Sequence, residues 1–150
     1  MYHYWATQAR CNFEVSGRGK QNMITTYAWK KKYCVGDDKI DSQHQYLFEL
    51  ADLIADSKNH TEMSNNVMKL HNYCRDHFGY EETVMRQMGY PAMDEHLALH
   101  DGLMTKLNSI SEGISKRQWS NDDLEKFMKE WLLGHILAED TKLVKFIAKR

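Results

Sequence analysis

Proline is almost missing from this chain: Pro91 is the one example in 150 residues, and glycine contributes only eight. So little turn chemistry argues against many short strands and favours a few long helices. No large excess of charge exists either, since the formal net charge is −1. A general field that would hold nucleic acid or an anionic membrane is therefore excluded. Long apolar runs are absent. The longest, "WLLGHILA", is broken by His135 and is too short to span a bilayer. Cysteine is scarce and odd in number, with Cys11, Cys34 and Cys74 far apart and no CxxC. That pattern reads as three reduced thiols in a cytoplasmic protein. The N-terminus "MYHYWATQARCNFEV" has no apolar core of the signal-peptide kind.

What is present is one domain's worth of chain, 42% hydrophobic, enough to bury a core. Residues 1–28 show no sustained period and read as an N-terminal extension, whose Tyr2, Tyr4, Trp5 and Phe13 could dock on the remainder. A short irregular stretch with the solvated lysine run "WKKKY" opens the domain, residues 29–150. Four helical periods follow. The first starts near Asp41 or Ser42, where Ser42 and Gln45 fit a capping box, with Ile40, His44, Leu47, Ala51 and Ile54 on its inner stripe. The second runs from about Glu62 to Met88, with Val67, Leu70, Cys74, His77, Glu81, Val84 and Met88 inward. Gly89 and Pro91 end it and lead into a third, which carries His96, His100, Leu103, Leu107 and Ile110 on one face. The fourth starts at Ser120, capped with Asp123, and turns Leu124, Met128, Trp131, His135 and Ala138 inward. Short connections between long amphipathic helices predict an all-α, up-down-up-down antiparallel four-helix bundle.

Every one of these inner stripes contains histidine: His44, His77, His96 with His100, and His135. Glu81 and Asp140 accompany them. Unpartnered polar and ionised groups cost several kcal/mol each to bury, so seven together need a common partner. A metal centre is one. His77 with Glu81 and His96 with His100 are spaced i,i+4, so each pair projects from one helix face. His135 and Asp140 are five apart, about 140° around an ideal helix. Either that pair straddles the site or the helix bulges between them. Starts of odd helices and ends of even helices share one end of an up-down bundle, which puts all seven at one level. Five imidazoles and two carboxylates exceed a tetrahedral zinc set. They suit two octahedral ions, with nitrogen and oxygen ligands appropriate to iron.

The set His44, "HFGYE", "HLALH" and "HILAED", preceded by "VGDDKIDSQHQYLF" and with "GYP" before the third helix, resembles the hemerythrin family, specifically its bacterial members, over roughly residues 29–147. The resemblance implies two iron ions with a bridging oxo or hydroxo group. His96, His100 and His135 would hold one, His44 and His77 the other, and Glu81 and Asp140 would bridge. Three bridges and three histidines fill six positions on the first ion. The second keeps one position open, where O2 would bind as ligand. Trp131, Leu132 and Ile136 resemble the family's apolar pocket wall. The implied role is reversible O2 binding without enzymatic turnover, as an oxygen- or redox-sensing module with a C-terminal output domain or signalling partner. Alternatives are a freestanding carrier or store, and a diiron oxidase or nitric-oxide-handling enzyme. Neither nucleic acid nor membrane is an expected partner. His3, His60 and His71 fall off the stripes and read as non-ligands, and Cys74 as a core thiol.

Overall fold

A computed structural model describes residues 27–150, and these form a four-helix bundle preceded by one 3-10 turn, Lys31–Tyr33. Helix α1 is Asp38–Ala55, α2 is His60–Met88 and α3 is Met93–Ser115. The fourth helix covers residues 121–148 without a break, but its backbone alternates: α over Asn121–Lys126, π over Phe127–Leu132, α over Leu133–His135, π over Ile136–Asp140, then α over Thr141–Ala148. Neighbours in sequence pack antiparallel, α1 along α2 and α2 along α3, with the fourth helix against α3. Among the described residues no helix is long and apolar enough to cross a membrane.

The helix starts differ from expectation where a better cap lies upstream. Asp37, extended at ψ 121°, accepts the N–H of Ile40, so α1 begins a turn before Ser42. Gln45 then serves no capping box and reaches Glu49 instead. Asp41 turns back, buried, and accepts the N–H groups of Val35 (2.7 Å) and Gly36 (3.1 Å), tying the entry loop to the helix. Asn59 caps α2 through the N–H of Glu62, and Gly89 closes it at φ +64°, a left-handed turn that suits glycine. Ser120 and Asp123 form the expected capping box.

Cys34 is disulfide-bonded, which corrects the reading of three reduced thiols and removes its support for a reducing compartment. Cys74 is free and fully buried. Cys11, His3 and the aromatics expected to dock from the extension lie outside the described residues. Tyr27, the first described residue, is buried in the main core, and its N–H donates to Asp52.

That core runs from Leu47, Ala51 and Ile54 across Leu70, Leu107 and Leu124 to Leu132 and Ile136. A smaller apolar group, Met85, Tyr90 and Leu143, closes one end. Met85 and Leu143 stand about one turn past Glu81 and Asp140, so a polar layer separates the two. After Glu81 the buried line of α2 continues through Met85, with Val84 and Met88 only half-buried. On the fourth helix Ala138, expected inward, is exposed, and the fully buried position is Leu132, with Trp131 half-buried. Each π turn holds one residue more than an α turn, and the extra residue shifts the inward face along the sequence.

Candidate metal centre

The structure brings all seven candidate residues into one buried layer. His44 comes from α1, His77 and Glu81 from α2, His96 and His100 from α3, and His135 and Asp140 from the fourth helix; none is more than 7% exposed. The five-residue spacing of the last pair is resolved by a bulge. The Thr141 N–H reaches back to the Ile136 carbonyl, i to i−5, and the added residue brings Asp140 round beneath His135, 3.0 Å from its Nε2.

The two carboxylates lie between two sets of histidines. Glu81 Oε1 is 3.1 Å from His77 Nε2, while Oε2 is 3.1 Å from His100 Nε2 and 3.3 Å from His96 Nε2. Asp140 Oδ2 is 3.0 Å from His44 Nε2, and Oδ1 is 3.1 Å from His96 Nε2 and 3.0 Å from His135 Nε2. Each carboxylate therefore turns one oxygen to His44 and His77 and the other to the three remaining histidines. The donor atoms fall into two groups, each compact enough to hold a metal ion: His44, His77, Glu81 and Asp140; and His96, His100, His135, Glu81 and Asp140.

These atoms are close without being satisfied. Glu81 Oε1, both Asp140 oxygens, His100 Nε2 and His135 Nε2 are buried and have no hydrogen bond of acceptable geometry. His44 and His77 face each other Nε2 to Nε2 at 3.1 Å. His77 Nδ1 lies 2.7 Å from the Gln43 side-chain oxygen and donates to it, which leaves a lone pair at Nε2. Ligands about 2.1 Å from one ion and at right angles sit about 3 Å apart, the separation seen throughout this layer. The donor set thus fits cations, and the orphaned lone pairs call for them.

Protonation follows the same contacts. Burial opposes a charge on His44 and His96, yet Asp140 and Glu81 outweigh it and push both up to about 9. Burial dominates at His77 and lowers it. Glu81 and Asp140 resist burial and are held below the ordinary carboxylate range, Glu81 by His77 and His100 foremost, Asp140 by His135, His44 and His96.

Of the expected pocket residues, Leu132 and Ile136 are fully buried in the core. The Trp131 ring is half-buried, edge-on to Phe127 and flanked by Lys106 (4.7 Å) and Lys126 (5.3 Å). Several residues around the centre escaped the sequence reading. Phe78 stacks on His100, centroids 3.9 Å apart and 12° from parallel. Trp29 lies against His44 at 6.1 Å. Gln43 and Glu82 meet the outer nitrogens of His77 and His100. Of the histidines set aside, His60 bonds the Ile114 carbonyl and His71 the Asn108 side chain, both away from the layer.

A family model described as the hemerythrin HHE cation binding domain matches residues 35–147. A bacteriohemerythrin of Pseudomonas paraeruginosa is 26% identical over 119 residues, covering 77% of this chain and 78% of that protein. A myohemerythrin of Theromyzon tessulatum is 29% identical over 116 residues, 77% of this chain and 89% of its own length. A bacteriohemerythrin of Clostridium acetobutylicum is 26% identical over 129 residues and is covered to 98%. A solved hemerythrin point mutant superposes with a TM-score of 0.71 at 24% identity, over 79% of this chain and 95% of that one, a likeness of fold.

Proposed function

The chain belongs to the hemerythrin HHE cation-binding family, and from that premise we propose that it binds O2 reversibly at a non-haem diiron centre. His96, His100 and His135 would hold one ion in this reading, His44 and His77 the other, and Glu81 and Asp140 would be shared between them. A solvent-derived oxo or hydroxo group would complete the bridging set, and the iron, when bound, would supply the electrons for O2 uptake. The observation that carries the reading is the unequal division of histidines: both groups share the same two carboxylates, but one has three imidazoles and the other two. The poorer group is the one with a coordination position to spare.

The chain's own part is to bind, orient and exclude water. Five neutral imidazoles against two carboxylates provide little anionic oxygen to stabilise strongly oxidised iron, which favours binding over multi-electron oxidation. Carboxylate-rich diiron sites on bundles have the opposite balance. Leu132 and Ile136, both fully buried, would form with Trp131 the apolar wall that excludes water from the centre. Phe78 covers the flat face of His100.

Within this reading the sensory role is carried forward over the carrier. His135 and Asp140 bracket a π segment whose last hydrogen bond is the first constraint on Thr141–Ala148, so ligand displacement at the centre is linked to the helix end. The partner would be a C-terminal output domain or signalling protein. The test is optical: load ferrous iron anaerobically and admit O2. A visible charge-transfer band that appears with O2 and fades on its removal is expected. A permanent ferric spectrum, or no band with both ions bound, refutes reversible binding.

A further inference from the structure

The imidazole ring nitrogens that face away from the centre are not treated alike. The Nδ1 atoms of His44 and His96 are buried without a hydrogen bond. His77 Nδ1 meets a neutral amide oxygen, Gln43 Oε1, at 2.7 Å. His100 Nδ1 meets a carboxylate oxygen, Glu82 Oε1, at 3.3 Å. The Glu82 side chain is 30% exposed, one edge in water and the other on a ring that is itself 2% exposed. Stacking by Phe78 holds that ring flat, so the Nδ1–H cannot turn elsewhere.

An outer carboxylate does two things to a ligating histidine. It fixes the tautomer, with the proton on the outer nitrogen and the lone pair inward, and it makes the inner nitrogen a stronger donor. An amide does the first and hardly the second, because it brings no charge. The two histidine groups thereby differ in outer charge as well as in number, with the anion behind the three-histidine group.

We propose that Glu82 is a positioning residue that, through His100, sets the reduction potential of the diiron centre, holding it lower than the seven ligands alone would. This rests on the diiron reading above. A more strongly donating His100 stabilises ferric over ferrous iron on its own ion. O2 binding draws electrons from both ions, so Glu82 also tightens O2 binding. Gln43 orients His77 and leaves the other ion's potential nearly untouched, which keeps that ion ferrous and ready for O2.

The experiment compares the iron-loaded protein with Glu82→Gln, Glu82→Asp and Gln43→Glu variants, by iron content, midpoint potential and the exchangeable imidazole N–H signals in the NMR spectrum of the diferrous form. Glu82→Gln should keep its iron and its His100 N–H signal but rise in potential. A tenfold change in a one-electron constant corresponds to about 59 mV, the expected scale of that rise. Glu82→Asp should restore part of the difference. Gln43→Glu, which adds charge behind His77, should lower the potential, and it keeps the idea testable if the Glu82 variants fold poorly. Equal potentials in wild type, Glu82→Gln and Gln43→Glu, with full iron in each, would overturn the proposal. Wild-type protein that holds two ions at a Glu82-dependent potential yet binds no O2 would refute the oxygen-binding reading and leave this one standing. Wild-type protein that takes up no iron would refute both.

Discussion

At the scale of single residues, the centre is an exchange of protons for metal. His44 and His96, raised to about 9, hold protons at neutral pH when no metal is present. Metal needs their lone pairs, so loading must expel those protons. Titrating ferrous iron anaerobically into metal-free protein at pH 7 should release about three protons per chain, two from the imidazoles and one from the water that would become a hydroxo bridge, seen as buffer-dependent heat in calorimetry. Release of about one would show that the histidines are neutral beforehand. Glu81 can be tested by its geometry. It supplies one oxygen to each histidine group, so Glu81→Gln should lower bound iron from about two ions per chain to one or fewer, with helix content intact. Elemental analysis after desalting reads this directly. That six of the seven residues face inward was legible in the sequence because they occupy stripe positions where ordinary chains put leucine, whereas Asp140, off its stripe, was legible only through the motif "HILAED". Gln43 and Glu82 were not. Each neighbours a stripe residue, His44 and Glu81, at positions where a polar side chain is the usual surface choice, and only coordinates show which ring nitrogen each one meets.

At the scale of elements, the fourth helix is the informative one. Its sequence has unbroken helical character, and an ideal helix leaves Asp140 about 140° from His135. That contradiction was visible in the spacing, but its resolution was not, because π turns have no strong sequence signature and exist here through the tertiary demand for Asp140 at the centre. Deleting the exposed Ala138 should convert Ile136–Asp140 to regular α-helix and shorten the His135–Asp140 spacing to i,i+4, about 40° apart on one face, so that Asp140 stays in the layer without the bulge. The expected result is unchanged helicity by circular dichroism with iron retained. Loss of iron in the deletion variant would show that the centre needs the π backbone itself and not merely Asp140 on the inner face. The same segment bears on the sensory role: hydrogen exchange at Thr141–Ala148 should differ between diferrous and diferric protein. Identical protection would favour a carrier. The start of α1 was misread for a related reason. Ser42 and Gln45 have the right letters, but Asp37 already meets the capping requirement one turn earlier, and two adequate caps close together cannot be ranked from letters alone.

At the scale of the whole molecule, a polar layer divides the main apolar core from the Met85, Tyr90 and Leu143 cluster, so the bundle's stability is coupled to what fills that layer. Its overall architecture was readable from four periods and three short connections, since local periodicity and the burial of one face per helix suffice to specify it. The pH dependence of stability follows from the layer. In metal-free protein, His44 and His96 have folded values raised above 6.5, so their contribution is complete below 6.5 and is lost as pH rises through about 9. Glu81 and Asp140 have folded values depressed below 4.5 and 3.8, so theirs is present above those values and lost as pH falls. His77, lowered by burial, erodes stability as pH drops below its ordinary 6.5. Metal-free protein should therefore be most stable near pH 6.5, and should weaken both toward the carboxylate range and toward pH 9. Bound iron removes the need for protons on His44 and His96, and it binds more tightly as protons become scarce. The difference in Tm between iron-loaded and metal-free protein should widen steadily from pH 6 to pH 9 in parallel thermal melts. A constant difference would mean that the imidazoles carry no protons to displace, and that the carboxylates alone hold the empty layer together.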